Sequence, residues 1–444
     1  MNKTLTVKEY DTIMCNESLI NNSGLVYIAE KHFRELEHFI KEYTSQNANV
    51  DVIEFFKIGY RRGVGDTISF NNYVGIVELP SGFQIEILPK VSLSQDDNNA
   101  NTKRVFLKML KCLKEFEGKA FQSALLNADR MNLYEVFIHM FIEETRKLTK
   151  SGIKSAYIQS EDNLRFFKGK LDVNKQIVMN SAHREKFYMI YDEYLVNRPE
   201  NKLLKSTLLK LLNLTQSMDN AKEIRKLLYS FELVDPSDNY EKDFSRVSLS
   251  RDMRDYELLV SWAKVFLLNR SFTTFSGSKS GKALLFPMEQ VFEAYIAKQI
   301  KKTFERESNG AIHVSAQDSG YYLFNEPKKF RLRPDIVVRC NWDDKNPIIV
   351  MDTKWKRLIS NPAANYGISQ ADMYQMYAYS KKYDASDIWL IYPITDDVKE
   401  LPPLSFSAIK DGNKEVEVNI FFVDLDKADE CIKDLYDRIT CVNN

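Results

Sequence analysis

The sequence predicts a multidomain α+β protein: a strand-rich N-terminal domain, a mainly helical middle region and a C-terminal α/β domain. Three observations predict it. At 444 residues the chain is longer than one typical core accommodates. Strand-like runs fill the first part and the last part, while apolar residues recur at helical spacing in between. Ser, Gly and Thr crowd residues 271–282, as at a domain boundary. The expected divisions are 1–102, 103–272 and 273–444.

Residues 73–79 and 83–88 are β-rich runs flanking Pro80-Ser81-Gly82, a hairpin signal with partial period-two alternation. The polar stretch 92–102 reads as a surface loop. From Lys103 the pattern turns helical, with Val105, Leu107, Met109, Leu110 and Leu113 at near-helical spacing. Further helices are expected at 131–148, 190–213 (broken near Pro199), 219–230 and 253–269, with a short strand-like piece at 166–173. The last part reads as a helix at 287–306, strands at 311–316, 320–325, 332–340 and 347–354, a helix at 369–382, strands at 387–392 and 416–423, and a terminal helix at 426–439. A helix, a β-meander, a helix and a further strand make an α/β sandwich around a small mixed sheet.

Composition narrows the function classes. The 62 basic and 62 acidic side chains cancel, which argues against a protein coated in positive charge for autonomous nucleic-acid binding. Local basic runs remain, at Lys301-Lys302, Lys328-Lys329-Phe330-Arg331-Leu332-Arg333 and Lys354-Trp355-Lys356-Arg357. The five cysteines form no Cys-x-x-Cys pair, so a zinc site or disulfide framework is not expected, and a reducing cytoplasm suits them. The N-terminus lacks a signal-peptide apolar core, and no run reaches the roughly 18 apolar residues of a membrane span.

The chemistry concentrates at Asp335, in Arg333-Pro334-Asp335-Ile336-Val337-Val338, and at Asp352-Thr353-Lys354, which closes Ile348-Ile349-Val350-Met351. Residues 341–346 read as the turn between two antiparallel strands, which brings the ends bearing Asp335 and Asp352 together. Two carboxylates in a small site repel one another, and a hard divalent cation relieves the repulsion through oxygen ligands. Lys354 stands two residues beyond Asp352, on the same strand face. Thr353 is expected to point the other way and to offer only its backbone carbonyl. Glu293, spaced i, i+4 from Glu289 on an otherwise apolar helix, is a candidate third acid, and Gln375 is a candidate for positioning water or DNA. Taken alone, the set also fits a surface hairpin with ordinary terminal charges, a solvated helix acid and a polar residue on an amphipathic helix.

Other chemistries lack support. Residues 276–283, Ser-Gly-Ser-Lys-Ser-Gly-Lys-Ala, have three residues between the glycines and Ala after Lys, where a phosphate-binding Walker loop needs four and then Ser or Thr. This run reads as a flexible linker. The five histidines show no metal spacing, and no Gly-x-Ser-x-Gly elbow is present.

In order along the chain, Ile85-Glu86-Ile87-Leu88-Pro89-Lys90-Val91, then Asp192-Glu193-Tyr194 through Asn197-Arg198-Pro199-Glu200-Asn201-Lys202-Leu203-Leu204-Lys205, then Met288-Glu289-Gln290-Val291-Phe292-Glu293, Arg333-Pro334-Asp335, Asp352-Thr353-Lys354 and Gln375-Met376-Tyr377-Ala378-Tyr379 carry a resemblance. They are similar to the McrC family of McrBC-type, modification-dependent (5-methylcytosine-specific) restriction systems, whose nuclease domain belongs to the PD-(D/E)xK superfamily. The resemblance implies that Asp335, Asp352 and Lys354 are catalytic, with Glu293 the helix acid. It implies Mg²⁺ as cofactor, with Mn²⁺ as substitute, held by Asp335, Asp352, the Thr353 carbonyl and Glu293. It implies a separate McrB-like AAA+ GTPase hexamer that selects modified double-stranded DNA, docks the N-terminal domain and binds the nucleotide this chain does not. A second copy of the nuclease domain is expected for double-strand cleavage. The rival expectations are a non-catalytic activator of the AAA+ partner and a self-sufficient restriction endonuclease.

Overall fold

In the computed structural model the described residues are 4–19, 24–46, 55–90, 99–113, 131–248, 253–268, 274–277, 281–341, 347–410 and 413–442. Most of the expected polar loop at 92–102, the expected turn at 341–346 except Asn341, and the centre of the Gly-Ser-Lys run lie outside them. The chain forms two compact units, one of residues 1–117, 128–130 and 276–444 and the other of residues 118–127 and 131–275. The compact grouping therefore differs from a three-part division, because both ends of the chain share one unit.

The first unit begins with β1 (Thr4–Lys8), β2 (Thr12–Met14), β3 (Leu25–Tyr27), α1 (Glu30–Gln46), β4 (Phe56–Arg61), β5 (Gly65–Phe70), β6 (Tyr73–Glu78), β7 (Gln84–Leu88) and α2 (Asn99–Leu110). One sheet has the order β3-β2-β5-β4. The predicted hairpin is β6–β7, whose strands pair antiparallel. Its alternation is only partial because every residue of β7 is buried. That includes Glu86, whose charge is met by Lys103 of α2 at 2.9 Å.

The second unit contains α3 (Leu133–Ser151), β8 (Ala156–Leu164), β9 (Lys170–Leu171), α4 (Val173–Met179), β10 (Phe187–Leu195), α5 (Pro199–Leu214), α6 (Met218–Ser230), α7 (Tyr240–Arg246) and α8 (Arg254–Leu268). Helix α3 starts where Asn132 accepts from the backbone N–H of Glu135, an N-cap. The helix expected over 190–213 is corrected at its start. Residues 187–195 are strand β10, between β8 and β9 in a three-stranded sheet. The aromatic run Phe187-Tyr188-Met189-Ile190-Tyr191 suits a strand, and the helix begins only with Pro199 at its first turn.

The chain then returns to the first unit with β11 (Thr274–Gly277), β12 (Gly281–Pro287) and α9 (Met288–Glu307). The Ser/Gly/Thr-rich segment, expected to be a linker, thus contributes two strands to a sheet ordered β1-β7-β6-β12-β11. Pairing of β12 with β6 requires glycine at position 75. A Cβ there would lie 1.9 Å from the Leu284 carbonyl oxygen, and the backbone holds φ at +149°.

The remaining elements are β13 (Ile312–Ala316), the hairpin β14 (Tyr322–Asn325) and β15 (Lys328–Arg331), β16 (Ile336–Cys340), β17 (Ile348–Thr353), α10 (Gln370–Tyr383), β18 (Asp387–Pro393), β19 (Leu404–Lys410), β20 (Asn413–Val423) and α11 (Ala428–Val442). They form a six-stranded mixed sheet, β13-β16-β17-β18-β20-β19. Antiparallel pairing of β16 with β17 gives way to parallel pairing of β17 with β18. Near-continuous apolar sequence in β16–β18 reflects burial of both faces. Val337, Val350 and Leu390 share a core cluster with Met376 and Tyr379 of α10. The expected strand at 332–340 is shorter, because the basic run before it turns back as β15.

Gly75→Ala is expected to destabilise the first unit by about 3 kcal/mol or more, since backbone must move away from backbone. Thermal unfolding of the full chain measures this; an unchanged melting temperature contradicts the close approach.

Candidate functional site

Strands β16 and β17 pair from Ile336 opposite Met351, so Asp335 and Asp352 follow at the end of the ladder. Asp352 is 1% exposed. It lies on the strand face of Val350, the face covered by α10. Lys354, two residues on, brings Nζ to 2.6 Å from Asp352 Oδ2. That close, charge-assisted contact is what meets an oxygen otherwise sealed from solvent.

Thr353 departs from expectation. Its backbone N–H and its hydroxyl both donate to Asp335 Oδ2, each at 2.7 Å. Register pairing stops at Ile336, and beyond that point the Asp335 carboxylate leans across to the neighbouring residue. Gln375, from α10, accepts from Lys354 Nζ at 3.1 Å and donates through Nε2 to the Tyr379 hydroxyl at 2.7 Å. Glu293 lies on α9, half-buried, and accepts from Gln317 Nε2 at 2.9 Å. Gln317 is in turn fixed by its backbone N–H on the Asp335 carbonyl. All five side chains named from the sequence, with Thr353, therefore belong to one neighbourhood.

Its electrostatics are those of crowded, dehydrated carboxylates. Burial, then the Asp335 charge, pushes Asp352 up to about 7, against the pull of Lys354. Burial and Asp335 likewise raise Glu293 to about 7. Burial raises Asp335 too, although the two Thr353 hydrogen bonds oppose it. For Lys354 burial favours the neutral form, but the charges of Asp352, Asp372 and Asp335 outweigh it and keep the ammonium above its usual value.

Sequence reasoning missed several supports. Asp372 is buried in the first turn of α10, pairing with Lys356 at 2.9 Å and standing 3.9 Å from Lys354. Its position after Ser369, which caps α10, was the available signal. Glu9, just after β1, is fully buried and accepts from Trp355 Nε1 at 2.9 Å. Burial pushes the Glu9 carboxyl up to about 8. Together with Tyr10, Lys90, Lys356, Arg357 and Pro393 this pair lines a cavity of about 370 Å³. No local pattern links residues so far apart in sequence.

Among the described residues no three His, Cys, Asp or Glu side chains already stand in a metal-holding arrangement. The donor chemistry nevertheless fits a hard divalent cation: oxygen ligands, mutual repulsion and burial that leaves the carboxylates short of compensating charge. Asp335, Asp352, Glu293 and the Thr353 carbonyl are the groups such an ion would draw on.

Comparison with known proteins gives a consistent picture. A family model described as "McrBC 5-methylcytosine restriction system component" matches residues 68–393. No curated protein sequence matches the chain. Among solved structures, the chain is similar to one in the refined half-complex from the tetradecameric assembly of Thermococcus gammatolerans McrB AAA+ hexamers with bound McrC. That likeness has 19% identity and a TM-score of 0.68, over 98% of this chain and 100% of the other. A second likeness, to a chain of the cryo-EM structure of the Thermococcus gammatolerans McrBC complex, has 21% identity and a TM-score of 0.45, over 66% of this chain and 85% of that one. At such identities the first of these is a likeness of fold.

The charge cluster predicts a pH dependence. Asp352 and Glu293 hold protons to about pH 7 in the folded metal-free chain, but only to about 4 when unfolded. The folded form binds more protons in that window, so its stability is lost as pH rises through 7. The metal-free chain is expected to melt several degrees lower at pH 8.5 than at pH 5, with the buried Glu9 carboxyl contributing beside the cluster, and Asp352→Asn to remove part of the difference. A wild-type melting temperature that rises over the same interval contradicts the assignment.

Proposed function

Because the chain belongs to the McrBC family of 5-methylcytosine restriction system components, we propose that it is the DNA-cutting subunit of such a system, a divalent-metal-dependent endonuclease working with an AAA+ partner. The observation that carries this reading is the convergence of Glu293, Asp335, Asp352 and Lys354 at the end of β17. A helix acid, an acid opening one strand and an Asp-x-Lys closing the next match the PD-(D/E)xK arrangement in kind. The fold similarity to a chain from an assembly of McrB AAA+ hexamers with bound McrC supports an AAA+ ring as the partner.

When bound by the acids and the Thr353 carbonyl, Mg²⁺ (or Mn²⁺) supplies a Lewis acid for phosphoryl oxygen and lowers the pKa of water. This chain's own residues do the rest. Lys354, kept charged and held by Asp352 and Gln375, presents its ammonium to the negative charge developing on the phosphoryl oxygens. Thr353 fixes the Asp335 carboxylate by two hydrogen bonds. Gln317 fixes Glu293, and Asp372 holds Lys356 beside Lys354. One such site cuts one strand, so a double-strand break calls for two copies of the domain. Target choice and nucleotide hydrolysis fall to the partner, and the substrate is double-stranded DNA in modified form. A cytoplasmic setting agrees with the free thiols at Cys15, Cys112, Cys340 and Cys431, and no described helix is long and apolar enough to cross a membrane.

For docking on the partner, the N-terminal part offers the exposed tip of the β4–β5 hairpin, where Tyr60 is 77% exposed and Arg61 and Arg62 stand in solvent. A reading as a non-catalytic activator is favoured by one observation, the lack of a ready-made metal trio among the described residues. The experiments separate the two.

Asp335→Ala and Lys354→Ala are expected to abolish duplex cleavage in the assembled complex while still stimulating the partner's GTPase; retained cleavage by either sinks the catalytic assignment. Mg²⁺ is expected to raise the melting temperature of the full chain, more at pH 8 than at pH 6, because the cation competes with protons on the same oxygens. Asp352→Asn should erase the increment. An activator without a nuclease site shows no Mg²⁺ effect at either pH.

A further inference from the structure

We propose that the β14–β15 hairpin is a DNA-engaging wedge that grips the duplex beside the cut and inserts Phe330 against its bases. The inference rests on the nuclease reading above and assigns a contact that reading does not use.

The hairpin forms its own two-stranded sheet, outside the six-stranded one. Its position is set by the candidate site: β15 ends at Arg331, and Leu332-Arg333-Pro334 lead directly into Asp335. The root is held firmly. Arg331 donates to the Ser319 carbonyl at 2.7 Å and to its hydroxyl at 2.9 Å. The Leu332 N–H donates to the Tyr321 carbonyl, and the Tyr321 ring packs on Tyr383 of α10 at 4.4 Å between centroids. Tyr383 donates to Asp318, which also pairs with Arg339 of β16.

Beyond that root the hairpin stands in solvent. All of β15 is exposed. Phe324 is 56% exposed and Phe330 71%, an unusual state for two phenylalanines side by side. Their rings meet edge to face, 5.9 Å apart. Phe330 also has φ at +55°, a left-handed backbone that a bulky side chain rarely adopts. Such strain, in a residue with no core to fill, needs a compensating role. The same stretch carries Lys328, Lys329, Arg331 and Arg333, all exposed, against the single acid Glu326. Lys328 and Arg331 sit near the Tyr322 ring, at 6.0 and 5.8 Å from its centroid.

Exposed aromatics interleaved with cations suit nucleic acid: the cations meet phosphates and the ring face or edge meets bases. Apolar wedges of this kind unstack a base step and bend the duplex. In a chain of zero net charge, a basic hairpin joined to the acidic site gives the negatively charged duplex a local grip where the acids themselves repel it.

The test uses the full chain assembled with its AAA+ partner and a duplex carrying 5-methylcytosine, with 2-aminopurine at the base steps flanking the mapped cut. Fluorescence and binding are read in an Asp335→Ala background, which keeps the duplex intact. Phe324→Ala/Phe330→Ala is expected to cut at least about tenfold more slowly and to lose the fluorescence gain of unstacking, with affinity kept within about threefold. Lys328→Glu/Lys329→Glu is expected to bind about tenfold more weakly and to flatten the salt dependence by about two ions. Stimulation of the partner's GTPase, unchanged in both, shows that the chain folds and docks. Wild-type cutting, fluorescence and salt slope in both variants overturn the wedge, while Asp335→Ala remaining inactive keeps the nuclease reading. Loss of GTPase stimulation with DNA binding intact overturns it in favour of a protein contact. Should Asp335→Ala cut normally, the catalytic reading fails, and binding and fluorescence are then read at early times before the duplex is cut, so they still decide the hairpin.

Discussion

Burial of Asp352 beside Asp335 is the constraint around which the C-terminal sheet is arranged. A carboxylate with 1% exposure is costly to ionise, and a second acid on the adjoining strand makes it costlier. Every neighbour answers that cost in part. Lys354 brings the compensating charge, Gln375 fixes the ammonium, and Thr353 takes up the Asp335 oxygen. The compensation is incomplete, because burial and the Asp335 charge still push Asp352 up to about 7 against the pull of Lys354. Incomplete neutralisation of buried oxygens is the feature on which the proposed cation site rests.

The sheet of the N-terminal part is tied into this arrangement at two places. Strand β12 pairs with β6, and the Met288 N–H that opens α9 donates to the Asn72 carbonyl. Helix α9, which carries Glu293, therefore starts from that sheet. The second tie is the buried bond from Trp355, next to Lys354, to Glu9 at the end of β1. Trp355 also packs on Phe292, the neighbour of Glu293, with centroids 5.3 Å apart. The region proposed to dock on a partner and the region proposed to cut thus share hydrogen bonds rather than a loose linker.

Much of the C-terminal sheet was legible. The runs of Ile and Val that Asp335 opens and Asp352 closes are strands because β-branched side chains suit a pleated surface buried on both faces. The helix expected at 369–382 is α10, Gln370–Tyr383. The misreadings have physical causes. Residues 187–195 carry both helical and strand-like spacing, and pairing with β8 decided between them. The Ser/Gly/Thr-rich segment looked like a linker because its strand-forming partner, β6, lies far back in the chain. Thr353, still laddered to β18 through Ile391, meets Asp335 because the β16–β17 register ends at Ile336 and the Asp335 carboxylate reaches across to it, a contact no local period records.

The sequence by itself determined which chemistry is available: two acids and a lysine at strand ends, a helix acid, and a basic run just upstream. Side-chain identity and local periodicity suffice for that, since both are properties of short segments. Tertiary structure alone decided how those groups meet. It turned Thr353 onto Asp335, set Gln375 and Asp372 around Lys354, buried Glu9 against Trp355, and left Phe324 and Phe330 outside every core. Each of these depends on contacts between residues distant in the chain, where closure, packing and desolvation compete and no local pattern records the outcome.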